Sequence, residues 1–150
     1  MFKRKGVEMS SKEGALKFLL AAFCLVNIVT GIIAFSSNSS LILLVGDLVY
    51  GVKLSALETH TLYVIRMMGC LLLGVGLMCG LAAINPARNK TVIYGIIVWL
   101  IMRVVQRFID IGPFHQAFGT SYFKLWFSII FVSTVAVVFF LLLPKDNSSN

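Results

Sequence analysis

Residues 61–110 read TLYVIRMMGCLLLGVGLMCGLAAINPARNKTVIYGIIVWLIMRVVQRFID, and this stretch decides the fold. Two apolar runs flank a short basic break, Asn85-Pro86-Ala87-Arg88-Asn89-Lys90, and three arginines (Arg66, Arg103 and Arg107) stand inside the runs. Each run approaches the roughly 20 apolar residues that a helix needs to cross a bilayer. The break between them is too short for anything but a tight reversal. As helices rising about 1.5 Å per residue, the runs place Arg66 about 8 Å from the Thr61 end and Arg103 about 10 Å from the Asp110 end. A hairpin brings those two ends to the same side of a membrane, so the arginines share one depth.

The rest of the chain repeats the pattern. It is 150 residues long, 59% hydrophobic and 13% charged, with a mean hydropathy of +0.94. A soluble domain is roughly 45–50% apolar, and a water-soluble core cannot hide the excess. Apolar spans at about 15–35, 61–83, 91–109 and 122–143 predict an all-α, integral-membrane bundle of four transmembrane helices, forming one domain over 1–150. No repeat of fixed period is present, and the only low-complexity piece is the polar tail Asp146 to Asn150.

A net charge of +7 would suit a nucleic-acid partner, but its distribution argues against one. Threaded through four spans, Lys3, Arg4, Lys5, Lys12, Lys17, Arg88, Lys90 and Lys145 fall on one side, and only Lys53 and Lys124 flank the other. Lys and Arg accumulate on cytoplasmic loops. Both termini and the 85–90 turn are therefore expected in the cytoplasm, with the 36–60 connection and the 111–121 loop outside. Lys3-Arg4-Lys5 would also attract anionic lipid.

The first apolar segment is longer than the 7–15 residues of a signal h-region, so a retained anchor is expected. Ser10 and Glu13 have capping-box spacing, which predicts a helix start just before Leu16. Asn27 and Thr30, the strongly polar residues of this span, are expected to hydrogen-bond to a neighbouring helix. Residues 36–60 open with Ser36-Ser37-Asn38-Ser39-Ser40 and continue as short apolar pieces broken by Gly46, Asp47, Gly51 and Lys53. They read as an extracytoplasmic interfacial or re-entrant segment, with a short β-hairpin as the alternative.

Two side-chain patterns stand out on the hairpin. On the second span Arg66, Gly69, Leu73, Gly76, Gly80 and Ala83 fall within one stripe at 100° per residue, and small residues there let another helix approach closely. Packing within the chain is the first reading of Gly69, Gly76, Gly80 and Ala83; a homo-oligomer seam or contact with a larger partner is the second. On the third span Trp99, Arg103, Gln106, Arg107 and Asp110 share a face. An arginine at mid-membrane costs about 2.5–3.5 kcal/mol, against roughly 0.3–0.6 gained per strongly apolar residue, so these charges must face inward or toward a wet cleft. Structurally, Asp110 and Glu58 would hold Arg66 and Arg103 in an ion-pair network. Functionally, Arg66, Arg103, Gln106, Arg107, Asp110 and Glu58 would form an anion or headgroup site, since guanidinium forks suit carboxylate and phosphate oxygens.

Enzyme signatures are weak. There is no HExxH, CxxC or serine-elbow motif, no catalytic set is predicted, and no metal is expected at His60 or His115. Cys24, Cys70 and Cys79 lie within spans as small hydrophobes, with no disulfide expected. Phe114, Phe118, Tyr122, Phe123 and Trp126 read as an interfacial aromatic belt.

From Glu58 to Pro144 the chain resembles the DoxX-like group of small four-helix membrane proteins. The resemblance rests on Arg66 opening a span with Gly69, Gly74 and Gly76, on the Asn85-Pro86-Ala87-Arg88 turn, and on Arg103 late in the third span. It implies association with quinone-linked oxidoreductases. The sequence thus leads to a non-catalytic subunit of a larger membrane complex, partnered by lipids and other membrane subunits. Its alternative is a binder of a quinone, a lipid headgroup or an anion, with a small transporter third; no resident cofactor is predicted beyond such a quinone or lipid.

Overall fold

The computed structural model of the chain describes residues 3–36, 38–50 and 58–143. The side chains of 3–10, Val49, Tyr50 and His60, together with Lys53, Lys145 and the tail, lie outside that description. Six α-helices follow in order: α1 Lys3–Phe35, α2 Ser39–Val45, α3 Thr59–Ile84, α4 Lys90–Ile109, α5 Ile111–Phe118 and α6 Tyr122–Leu142. A π-helical turn, Gly46–Tyr50, continues α2, and no strand is present among the described residues. Four of the helices are long and apolar enough to cross a membrane, over Ser11–Phe35, Thr61–Ile84, Lys90–Ile109 and Tyr122–Leu142. A helix closes all its backbone hydrogen bonds internally, which is what hydrocarbon demands of a spanning segment. The chain has the architecture of a multi-pass membrane protein.

The spans pack antiparallel in two pairs. In the first, Gly31 of α1 lies against Gly69 of α3, and Cys24 lies near both Gly76 and Gly80. A Cβ added at Gly69 would sit 2.8 Å from the Phe35 nitrogen and 2.9 Å from the Gly31 oxygen, so only glycine permits this backbone contact. In the second pair, α4 meets α6 where Phe108 packs edge-on against Trp126 at 5.6 Å. Phe23 joins the pairs, edge-on to Trp99 at 6.4 Å and to Phe139 at 5.8 Å.

The packed core occupies only one half of the bundle. Leu16, Leu20, Cys79, Ala82, Ile93, Ile96, Ile97, Leu100, Ala136 and Phe139 form its buried cluster, and all lie toward the 85–89 turn. We call this the turn half and the opposite one, where α2 and α5 connect the spans, the roof half. The turn is held by its asparagines: Asn85 Oδ1 accepts from the Arg88 N–H at 3.1 Å, and Asn89 Nδ2 donates to the Leu81 and Asn85 carbonyls at 3.1 and 3.0 Å. Those bonds satisfy carbonyls that the end of α3 would otherwise leave open.

Four local readings need correction. Helix α1 begins at Lys3 and runs through Ser10, so Ser10 is no N-cap; Glu13 pairs instead with Lys17, one turn on, at 2.9 Å. A half-exposed pair of this kind contributes no more than about 0.5 kcal/mol, and Glu13→Gln should leave the unfolding midpoint unchanged within error. Asn27 and Thr30 bond within α1, donating to the Phe23 and Val26 carbonyls at 2.7 Å each, because a short polar side chain on a helix reaches the carbonyl one turn back. The alternative hairpin reading fails over 39–50, which are helical, while 51–57 lie outside the described residues; Asn38 caps α2 by accepting from the Leu41 N–H at 3.2 Å. The expected 111–121 loop contains α5; its Pro113 falls in the first helical turn, where no backbone donor is needed. Gly119, at φ 62°, ends α5 in the left-handed conformation that glycine adopts without penalty.

Candidate functional site

With the core confined to the turn half, the roof half encloses a cavity of about 750 Å³. Helix α1 supplies Thr30, Ile33 and Ala34; α3 supplies apolar side chains from Val64 to Leu72; α6 supplies Leu125 and Ile129; α2 and α5 contribute Ile42, Phe114 and Phe118. The polar wall is α4. Its i, i+3, i+4, i+7 spacing turns Arg103, Gln106, Arg107 and Asp110 toward the cavity together, with Trp99 beneath them. One wall carries two arginines, a glutamine and a carboxylate, and the others are mostly apolar.

Each polar group is held differently. The Arg103 guanidinium lies over the Trp99 ring, 5.1 Å from its centroid, a cation–π contact worth roughly 0.5–2 kcal/mol as solvent is excluded. Trp99 is fixed in turn by the edge of Phe23, so Arg103 stands on the aromatic layer that caps the packed core. Arg107 Nη1 donates to Ser128 Oγ, tying α4 to α6. Gln106 Nε2 donates to Asp110 Oδ2 at 3.3 Å. Asp110 closes α4 through its own N–H to the Gln106 carbonyl, 2.9 Å, and its carbonyl accepts from Phe114 of α5 at 2.8 Å.

The expected cluster is therefore divided. Arg103, Gln106, Arg107 and Asp110 come together in the cavity, whereas Arg66 and Glu58 are not among its described lining residues. Arg66 stands on the face of α3 that carries Gly69 and that α1 covers, and Glu58 occupies the N-cap position of α3. An Arg103–Asp110 ion pair is not formed. Asp110 is the junction between two helices, its side chain reaches back to Gln106 one turn away, and Arg103, two turns away, meets the indole instead. Sequence reasoning missed Ser128, one hydroxyl in a long apolar run. Thr61 and Thr30 were equally hard to single out as cavity residues.

The other patterns resolve as packing. Gly69, Gly76 and Gly80 lie against α1, and Ala83 packs on the core, so a helix of the same chain fills the stripe. The aromatic group splits: Phe114 and Phe118 line the cavity, Tyr122 stacks on His115 at 4.1 Å, and Phe123 and Trp126 face outward. His115 Nδ1 lies 2.7 Å from the Thr120 carbonyl and so donates to it. The three cysteines are free thiols, and no cluster of metal-ligating side chains occurs among the described residues.

Fold and site together define a multi-pass helical membrane protein with an arginine-bearing cavity inside its bundle. No family model, no curated protein and no solved structure matches the chain.

Proposed function

We propose that the protein is a membrane-embedded binder of an amphiphile carrying an anionic or strongly hydrogen-bond-accepting head. The observation that carries the reading is the pair Arg103 and Arg107, set on one face of α4 above Trp99 and looking across a cavity whose other walls are hydrocarbon. Guanidiniums that line a largely apolar cavity favour a ligand with an anionic or hydrogen-bond-accepting head. Arginine forks match carboxylate and phosphate oxygens. A quinone, which the DoxX-like resemblance implies, or a lipid headgroup falls within this chemistry. The accessory-subunit reading drew on the glycine stripe and on the outer apolar faces; α1 occupies the stripe and lipid alone can cover the faces, so the cavity is the stronger basis.

The proposal includes an orientation. Lys12, Lys17, Arg88 and Lys90 gather at the turn end, and by the positive-inside tendency that end is cytoplasmic. The roof half and its cavity then belong to the outer leaflet. Native mass spectrometry of the protein gently extracted from its own membrane tests the function. The expected spectrum shows this chain with a reproducible small-molecule adduct; a bare chain, or one found only with larger subunits and no adduct, overturns the reading.

A further inference from the structure

The margins of the cavity say how it is filled. At the turn end α3 and α4 share the buried core; toward the roof, four apolar residues of these two helices line the cavity and yet remain more than half exposed. Val64 is 52% exposed, Met68 55%, Leu71 62% and Met102 62%. On α6 the lining side chains are covered, with Ile129 only 3% and Leu125 7% exposed. The cavity therefore has an open side between α3 and α4, within the membrane-spanning segments. Leu71 is about 15 Å along α3 from Thr61, half the ~30 Å of the hydrocarbon core, so the opening looks onto acyl chains and not onto water.

Charge and volume narrow the occupant. The described lining residues include two arginines and one carboxylate, Arg103, Arg107 and Asp110, a set that favours an anionic head. At about 30 Å³ per water-sized group, a cavity of 750 Å³ admits roughly 25 non-hydrogen atoms, enough for one long acyl chain with a small head; a second chain would stay outside it.

We infer that the cavity is loaded sideways from the bilayer through the gap between α3 and α4, and that its occupant is a long-chain fatty carboxylate. The inference rests on the amphiphile-binding reading and adds the ligand class and the route. The carboxylate lies against Arg103 and Arg107, and the chain runs over Trp99 toward Leu71 and Leu72. A short carboxylate dissolved in water gains nothing from such walls.

Trp99 is a built-in reporter. The chain has two tryptophans, and Trp126, exposed on the outer surface, is replaced in Trp126→Phe with its edge contact to Phe108 kept aromatic. The full-length variant in zwitterionic phosphatidylcholine vesicles is titrated with stearate brominated at mid-chain, a contact quencher of indole. The expected result is saturable loss of most of the Trp99 emission, reversed by excess oleate. Brominated lysophosphatidylcholine and brominated diacyl phosphatidylcholine should give no component that oleate displaces, and 6-bromohexanoate added from water should neither quench nor compete. Displaceable quenching by a phospholipid in place of stearate overturns the ligand class; competition by hexanoate at similar concentration overturns the sideways route. No displaceable quenching by any probe overturns the inference, and the native adduct decides the broader reading separately, because an adduct that persists leaves amphiphile binding standing. Should Trp126→Phe fail to fold, the unsubstituted chain, carrying both indoles, must show the same displaceable fraction.

Discussion

Arg103→Leu is expected to weaken binding of a long-chain carboxylate by one to two orders of magnitude without destabilising the protein. A hydrogen bond to a charged partner is worth about 1.5–3 kcal/mol, and roughly 1.4 kcal/mol is tenfold in affinity. Arg103 is the cleaner of the two arginines to remove. Arg107 also ties α4 to α6 through Ser128, so its loss mixes binding with packing, whereas Arg103 rests on the Trp99 face. Leucine spares the helix the roughly 2.5–3.5 kcal/mol that arginine costs on the insertion scale, so the unfolding midpoint should hold or rise. Arg103→Lys should recover only part of the affinity, since an ammonium keeps the charge but loses the planar fork and the stacking on indole. The readouts are a binding isotherm for oleate and an unfolding curve on the same samples. A fall in the unfolding midpoint with an unchanged isotherm would make Arg103 a structural residue and remove the basis for the proposed site.

The second large effect lies at the contact between α1 and α3. Gly69→Ala is expected to cost about 1–3 kcal/mol, the usual range for overpacking, and Gly69→Leu to prevent the helices from docking. The neighbours of a Cβ at Gly69 are the Phe35 nitrogen, the Gly31 oxygen and the Ala34 carbonyl carbon, all backbone and all within 3.1 Å. Backbone cannot move aside by changing rotamer. At Gly76 the nearest atom, 2.8 Å away, is the Ile28 Cγ1, which can turn, although the Ile28 nitrogen follows at 3.2 Å; Gly76→Ala should cost less than Gly69→Ala. Gly74 meets nothing within 4 Å, and Gly74→Ala should be neutral or gain up to about 1 kcal/mol from helix propensity. Denaturation in mixed micelles, followed by circular dichroism, ranks the three. Equal costs at Gly69 and Gly74 would contradict the close approach.

What the sequence disclosed and what it concealed divide along a physical line. Span positions were legible because about 20 consecutive apolar residues between polar breaks admit one explanation in a bilayer, and the helices end within a residue or two of those breaks except at α1. There the helical extension from Lys3 joins the span without interruption, and a capping pattern in mid-helix misled. The shared face of Arg103, Gln106, Arg107 and Asp110 followed from helical spacing alone. What lay opposite that face did not. Whether an arginine meets a carboxylate, an indole or a hydroxyl depends on how helices distant in sequence are set against one another, and no spacing rule contains the Arg103–Trp99 or Arg107–Ser128 contacts. Arg66 shows the same gap in the other direction: equal depth in the membrane suggested a shared cluster, yet its position on α3 sets it on the covered side of the helix.

Confinement of the buried cluster to the turn half makes the molecule resemble a clothes peg. Its grip is the layer from Leu16 to Phe139, its spring the asparagine-laced reversal at 85–89, and its jaws the roof-half segments of α3 and α4. Jaws of this kind can part or close while α1 stays on α3 and α4 on α6, and while the cluster below the aromatic layer of Phe23, Trp99 and Phe139 stays shut. An occupant would supply the missing packing between the jaws and stabilise the whole by mass action. The roof half would then be soft when empty and firm when filled, completed by a molecule the chain does not encode.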